Sequence, residues 1–362
     1  MEPIRVAIIG QGRSGRDIHA SYLRTDDRYR IVAVAELDEH RRTLAQQEFA
    51  CDGCDNYKKL FRRKDVDLIV NASLSRDHVP ITLDCLRHGF NVLCDKPLAE
   101  NPKDVDKLIA ASEKSGKLLA IFQQSRFVPA YQQLRRIIDG GVLGRIVQID
   151  VQVNGFARRW DWQTLQENMA GNLLNTGPHP LDQVLQLAKY DGVPEVWCHM
   201  DRVNTFGDAE DHVHLMMRQA GKPAVSMEVS SCCAYPAFNY NVYGSLGGAR
   251  IIGAKLEWKF FRPDEAAAQQ LVREPLSNQE KRPAYCSEQL PWHEESWTPP
   301  AEDAETFRVI SRYYYEMLYR FLRDGGPLEI TPQQVRQQVA IIQLCQKQNP
   351  HIYTRWAKKT KA

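Results

Sequence analysis

The sequence contains no apolar run near the about 20 residues that a membrane-spanning helix needs, so no membrane partner is expected. Neither charge predominates: 47 Lys and Arg stand against 45 Asp and Glu. That balance argues against nucleic acid or an anionic surface as the main partner and favours a small molecule. Paired C-x-x-C or histidine sets of a zinc site are missing. The one C-x-x-C, "CDGC" at Cys51 and Cys54, reads as a polar turn, and no metal is assigned. Nine cysteines at irregular spacing make no disulfide framework, and reduced thiols are expected. The opening "MEPIRVAIIG" has no basic segment, long hydrophobic stretch or small-residue cleavage site, so a cytoplasmic location is the expectation. No internal repeat or low-complexity tract is evident.

The 362 residues exceed what one core usually organises, and two domains are expected. In the first, short β-rich runs alternate with helical spacings: "IRVAII", "RIVAVAELD", "VDLIVNAS", "FNVLC" and "KLLAIF" are strands, and "RDIHASYLR" opens the first helix. Such alternation predicts right-handed crossovers in a parallel sheet, with ligands at the carboxyl ends of its strands. After "RFVPAYQQLRRIIDGGVLG" strand patterns dominate, from "RIVQIDVQV" to "YNVYGSLGGARIIG". The fold class is therefore α/β: an N-terminal Rossmann-type doubly wound parallel sheet over residues 1–125, and over 126–362 a domain with an open, mostly antiparallel sheet. Residues 263–303 lack a clear period and read as a surface excursion. Residues 304–323 and 332–347 are helical by spacing, with Thr331 as N-cap and Pro332 as first helical residue of the second.

Three short stretches carry chemistry. In "GQGRSG", Gly10 permits a tight turn, Gly12 lets backbone approach a pyrophosphate, and Gly15 allows close helix packing. Glu36 lies 21 residues beyond Gly15 (36 − 15), at the end of the second strand, where a carboxylate binds an adenosine ribose. That carboxylate would repel the extra phosphate of NADP, so NAD is favoured; Arg41 and Arg42, one turn on, are read as solvated helix charges. "CDKP" places Lys96 at a strand's carboxyl end, before a proline that holds its backbone extended. In "GNLLNTGPHPLDQVLQL", Asn175 and His179 stand four apart, a spacing that would put them on one helical face, and Asp182 follows.

Taken together, "AIIGQGRSG", "CDKPLAEN" and "GNLLNTGPHPLDQ" resemble, in order and separation, the motifs of the Gfo/Idh/MocA family of NAD(P)-dependent oxidoreductases. The resemblance runs over nearly the whole chain. It implies a Rossmann domain followed by an α+β domain with an open sheet, with the active site between them. Cofactor contacts are then implied at Gly10, Gly12, Arg13, Ser14, Gly15, Glu36, Ser73, His78, Asp95, Lys96 and Pro97. In similar proteins the lysine touches the nicotinamide ribose and the reacting hydroxyl. Asp95 stands where the family usually has glutamate, and Asn175 where it usually has aspartate.

Oxidising an alcohol means removing a hydroxyl proton while hydride leaves for the nicotinamide. A neutral His179 can accept that proton, Lys96 can stabilise the oxygen, and Asn175 can orient substrate or histidine. In "GFARRWDWQTLQE", Trp160 and Trp162 suit a sugar ring and Arg158 or Arg159 an acidic group, though the same residue types suit an oligomer interface. The resemblance implies a sugar, cyclitol or related polyol as substrate. An NAD-retaining glycosidase or lyase working through transient C3 oxidation, and a non-catalytic regulator, stay open as alternatives. An open sheet face predicts a homo-oligomer, dimer or tetramer, covering apolar surface.

Overall fold

The computed structural model describes residues 2–303 and 305–356. Six strands form the first sheet: β1 Ile4–Ile9, β2 Tyr29–Ala35, β3 Asp52–Cys54, β4 Leu68–Asn71, β5 Asn91–Cys94 and β6 Leu119–Ile121. All pair in parallel, in the order β3-β2-β1-β4-β5-β6. Burial on both faces explains why these strands read as continuous apolar runs instead of alternating ones. The order reverses between β1 and β4, which opens a crevice at their carboxyl ends.

Eight strands form the second sheet: β7 Ile146–Asn154, β8 Glu195–Asp201, β9 His212–Arg218, β10 Ala224–Ser230, β11 Tyr240–Gly244, β12 Gly247–Ile252, β13 Lys255–Phe260 and β14 His293–Trp297. Their order is β14-β13-β12-β11-β7-β10-β9-β8, antiparallel except where β10 runs parallel to β7. One face packs against the helix Pro178–Ala188 through Ile149, Val151, Leu215 and Met227. The other face differs from expectation. Gln148, Asp150, Gln152, Ser226, Glu228 and His214 point outward, with Trp197, Met216, Tyr243 and Ile252 the exposed large apolar residues among them. This face is polar, so any partner on it must satisfy hydrogen bonds as well as cover rings.

Helix Thr306–Asp324 returns to the first sheet: Ile310, Tyr314, Tyr315 and Leu318 belong to the same buried cluster as β1, β4 and β5. Helix Pro332–Gln348 opens with a complete capping box, Thr331 and Gln334 each bonding the other's backbone. Three local readings need correction. The segment after the glycine turn is π-helical over Ser14–Ala20 and α-helical only over Ser21–Leu23. "CDGC" contributes the edge strand β3, and the stretch 263–303 is irregular only until β14 pairs with β13. For β3 and β14, pairing with a neighbouring strand overrides a polar local sequence. Among the described residues, no helix is long and apolar enough to cross a membrane.

Candidate functional site

The glycine turn closes the crevice floor. Gly10 has φ +89°, and a Cβ there would sit 2.4 Å from the Ala72 carbonyl oxygen, so any side chain is excluded. At Gly15 a Cβ would lie 1.9 Å from the Gly10 oxygen. At Gly12 it would meet nothing within 4 Å. Internal packing therefore does not require glycine at 12, and the open space before the turn fits an approaching dinucleotide pyrophosphate. Glu36 reaches back to this turn: Oε2 accepts the Gln11 N–H at 2.6 Å and Oε1 that of Asp38 at 2.9 Å. Arg42 is not a free solvated charge, since its guanidinium donates to the Glu36 carbonyl at 2.8 Å.

Lys96 follows β5. The Asp95 N–H donates to the Asn71 carbonyl at 3.0 Å, which extends the β4–β5 pairing up to the lysine. The Lys96–Pro97 peptide is cis. From there Nζ crosses to the second domain and donates to the Asn175 carbonyl oxygen at 2.5 Å. Burial lowers the ammonium pKa from its usual 10.5; the Asp95 carboxylate opposes this and Arg13 adds to it.

His179 and Asn175 occupy different helices, Pro178–Ala188 and Asn172–Asn175, with a break at residues 176 and 177. They therefore do not share the single helical face expected from their spacing. The Asn175 side chain turns away and donates Nδ2–H to the Gln163 carbonyl at 2.9 Å, so its backbone oxygen is what meets Lys96. The His179 Nδ1 lies 3.0 Å from the Ser125 hydroxyl oxygen. Burial, then the Lys96 charge, hold the imidazole pKa well below 6.5, with Asp95 opposing. Lys96 and His179 thus feel each other across the domain junction, and both feel Asp95.

Buried polar groups support this junction. The Arg126 guanidinium grips Asp182 at 2.8 and 2.5 Å, so Asp182 anchors its helix and is kept from the cleft. Gln123 and Gln338 both donate to the Pro178 carbonyl. Glu210 accepts the Leu173 N–H at 2.9 Å and the Tyr353 hydroxyl at 2.5 Å, beneath the segment that carries Asn175.

The remaining candidates divide. Ser14 donates to Asp95, and the Ser73 hydroxyl donates to the Asn71 side-chain oxygen at the carboxyl end of β4. Pro97 is buried, its carbonyl 2.8 Å from His78 Nδ1. His78 is only 1% exposed, with Nε2 3.1 Å from the Ser73 carbonyl, so both of its ring nitrogens meet backbone of the two loops that border the site. Arg158 stacks over Phe206, and Arg159 pairs with Asp161 and Gln163. Trp160 is 79% and Trp162 44% exposed. These four lie on a rim segment that is linked to the site through Gln163, and none is aimed at Lys96 by a contact. Sequence reasoning missed Ser125, Gln163, Arg126 and His19, whose Nε2 lies 3.0 Å from an Asp95 carboxylate oxygen; only His19 had a signal, a histidine four residues past the last glycine of the turn. Among the described residues, no group of three or more His, Cys, Asp or Glu side chains is placed to hold a metal ion.

Comparison with known proteins adds identity. Residues 4–123 match the oxidoreductase family with an NAD-binding Rossmann fold, and residues 131–250 match the GFO/IDH/MocA C-terminal domain. The chain is 31% identical over 204 residues to the D-glucoside 3-dehydrogenase of Escherichia coli, covering 54% of this chain and 57% of that one. It is 26% identical over 259 residues to a 2,7-anhydro-N-acetylneuraminate hydratase of Mediterraneibacter gnavus, covering 69% and 68%. The matched part thus spans little more than half of the first relative's length. Its fold is similar to the WlbA dehydrogenase of Bordetella pertussis, solved with NADH and UDP-GlcNAcA, with TM-score 0.74 at 18% identity over 99% of this chain and 96% of that one. Two family domains in the right order, joined over one crevice, establish that the chain belongs to the Gfo/Idh/MocA family of NAD(P)-binding oxidoreductases.

Proposed function

We propose that this protein is an NAD-dependent oxidoreductase acting on a secondary alcohol, or the matching ketone, of a sugar, cyclitol or sugar derivative. The observation that carries the reading is the meeting of Lys96 with the Asn175 carbonyl at 2.5 Å, within electrostatic reach of His179. A cation and a neutral base over one crevice are what alcohol oxidation requires.

The residues present fit a dinucleotide: the open side of Gly12 receives its pyrophosphate, Glu36 its adenosine ribose, and Lys96 its nicotinamide ribose. When bound, the nicotinamide supplies or accepts the hydride. His179, neutral through burial, takes the hydroxyl proton at Nε2 while Ser125 fixes Nδ1. Lys96 leaves the Asn175 carbonyl for the reacting oxygen and stabilises its developing negative charge. The exposed rings of Trp160 and Trp162 supply a rim for a sugar face. Glu36 supports NAD over NADP, because a carboxylate at this position repels a 2′-phosphate.

A second reading is favoured by the two curated relatives, one a glucoside 3-dehydrogenase and one a hydratase. In it, the same Lys96 and His179 serve transient oxidation with the cofactor retained, and the net reaction is cleavage or hydration. Purified protein mixed with NAD and a panel of glycosides, inositols and sugar derivatives separates the two. Accumulating NADH supports the dehydrogenase, and product without NADH supports the second. Neither outcome, with the cofactor bound, rejects both.

A further inference from the structure

Beneath the crevice runs a buried chain of hydrogen bonds that the reaction itself does not use. Asp95 is 6% exposed, and His19 and Tyr315 are not exposed at all. One carboxylate oxygen of Asp95 accepts the Ser14 hydroxyl, and the other lies 3.0 Å from His19 Nε2. His19 Nδ1 lies 2.7 Å from the Tyr315 hydroxyl, and the Tyr315 carbonyl accepts the Tyr29 hydroxyl at 2.6 Å. An ionised carboxylate only accepts, so Nε2 carries the proton toward Asp95. With Nε2 donating to Asp95 and Nδ1 hydrogen-bonded to the Tyr315 hydroxyl, every polar atom of the imidazole is satisfied. The Phe122 ring, with its centroid 4.3 Å from that of His19, holds the imidazole in place.

We propose that His19 is a positioning residue: locked between Tyr315 and Asp95, it keeps the Asp95 carboxylate ionised and fixed behind Lys96, so that the ammonium at the crevice keeps its charge and its aim. An apolar enclosure alone favours a protonated Asp95. Burial raises its pKa, and the opposing influence of His19, then of the Ser14 hydroxyl, outweighs burial and leaves it below the ordinary carboxylate value of 3.8. Asp95 in turn opposes the desolvation of both Lys96 and His179. The groups that face this chain are His78 and Cys94 beside Asp95, Arg13 beside Lys96, and Tyr22, Tyr29 and Tyr314 around Tyr315. His19 itself joins Asp95 to the helix Thr306–Asp324 through the Tyr315 hydroxyl. The inference concerns the same site as the proposed function, but it needs neither substrate nor turnover to be tested.

The test is the rate of acetic anhydride labelling of Lys96 against pH, read by peptide mass spectrometry on the full-length protein, with the exposed Lys64 and Lys114 as internal controls. Only the free amine reacts. Without His19 the Asp95 charge is less firmly held beside Lys96, and Lys96 gives up its proton more readily. In His19→Phe the Lys96 midpoint is expected to fall by about one pH unit, an approximately tenfold faster labelling below the midpoint. His19→Gln keeps an N–H donor for Asp95 and should remain nearer the parent profile, with the control lysines unchanged. A folded His19→Phe whose Lys96 profile superimposes on the parent's overturns the proposal. Should that variant fail to fold, Tyr315→Phe, which removes only the hydroxyl, must shift Lys96 in the same direction by a smaller amount, and no shift there also overturns it. Absence of dehydrogenase activity, by contrast, leaves the labelling result intact and counts only against the proposed reaction.

Discussion

Lys96 and His179 carry opposite demands in one small volume. Burial favours the neutral form of both, and each charge disfavours the other. For alcohol oxidation the imidazole must start neutral and the amine charged. His179 therefore remains a base at pH values below 6.5, so the acid limb of kcat/KM should lie below that value, and loss of the Lys96 proton should close the profile on the alkaline side below 10.5. Lys96→Met should cut kcat by about a hundredfold or more and abolish the alkaline limb in the measured pH–rate profile. Asn175→Asp tests the departure from the family pattern. Its amide donates to the Gln163 carbonyl at 2.9 Å, where a carboxylate would set two acceptors against each other. Destabilisation of about 1–3 kcal/mol is expected from urea unfolding. The sequence showed that a lysine and a histidine stand at strand and helix ends, because glycine and proline mark such places. It could not show that the backbone of Asn175, and not its side chain, receives the lysine, since that depends on a two-residue break between helices.

At the scale of elements, five of the first sheet's six strands were legible because parallel strands buried on both faces are uninterrupted apolar runs, and the N-cap Thr331 before Pro332 was legible from "TPQQ". The edge strands β3 and β14, and β13 beside the latter, were not, since polar sequence is tolerated there and their identity comes from the neighbours they pair with. The element that bears Asn175 rests on Glu210, whose pKa burial pushes up to about 7 despite hydrogen bonds from Tyr353 and Leu173. A carboxyl raised in the folded state binds a proton that the unfolded chain has already released. Its stabilising contribution is complete below 4.5 and is lost as pH rises through about 7. Glu210→Gln removes this linkage. The stability of the parent relative to the variant should therefore fall by on the order of 3 kcal/mol between pH 4.5 and 8, as measured by denaturant unfolding at several pH values. A constant difference across that range would exclude the linkage.

For the whole molecule, one chain end ties the parts together: helix Thr306–Asp324 completes the first core, and Ile341, Ile342 and Cys345 of the last long helix enter the second. The second sheet's outer face, polar apart from Trp197, Met216, Tyr243 and Ile252, predicts that any self-association there weakens when its hydrogen bonds are removed. Asp150→Ala with Gln152→Ala should lower the mass seen by light scattering at micromolar concentration if copies meet on this face, and leave it unchanged if they meet elsewhere. The junction of the two domains is where function is proposed to reside, and one structure tests it. A crystal structure with NAD and a trapped polyol should place a single substrate oxygen within hydrogen-bond distance of both Lys96 Nζ and His179 Nε2, with its carbon facing the nicotinamide. A substrate carbon that faces the ring while its oxygen contacts neither residue would contradict the account.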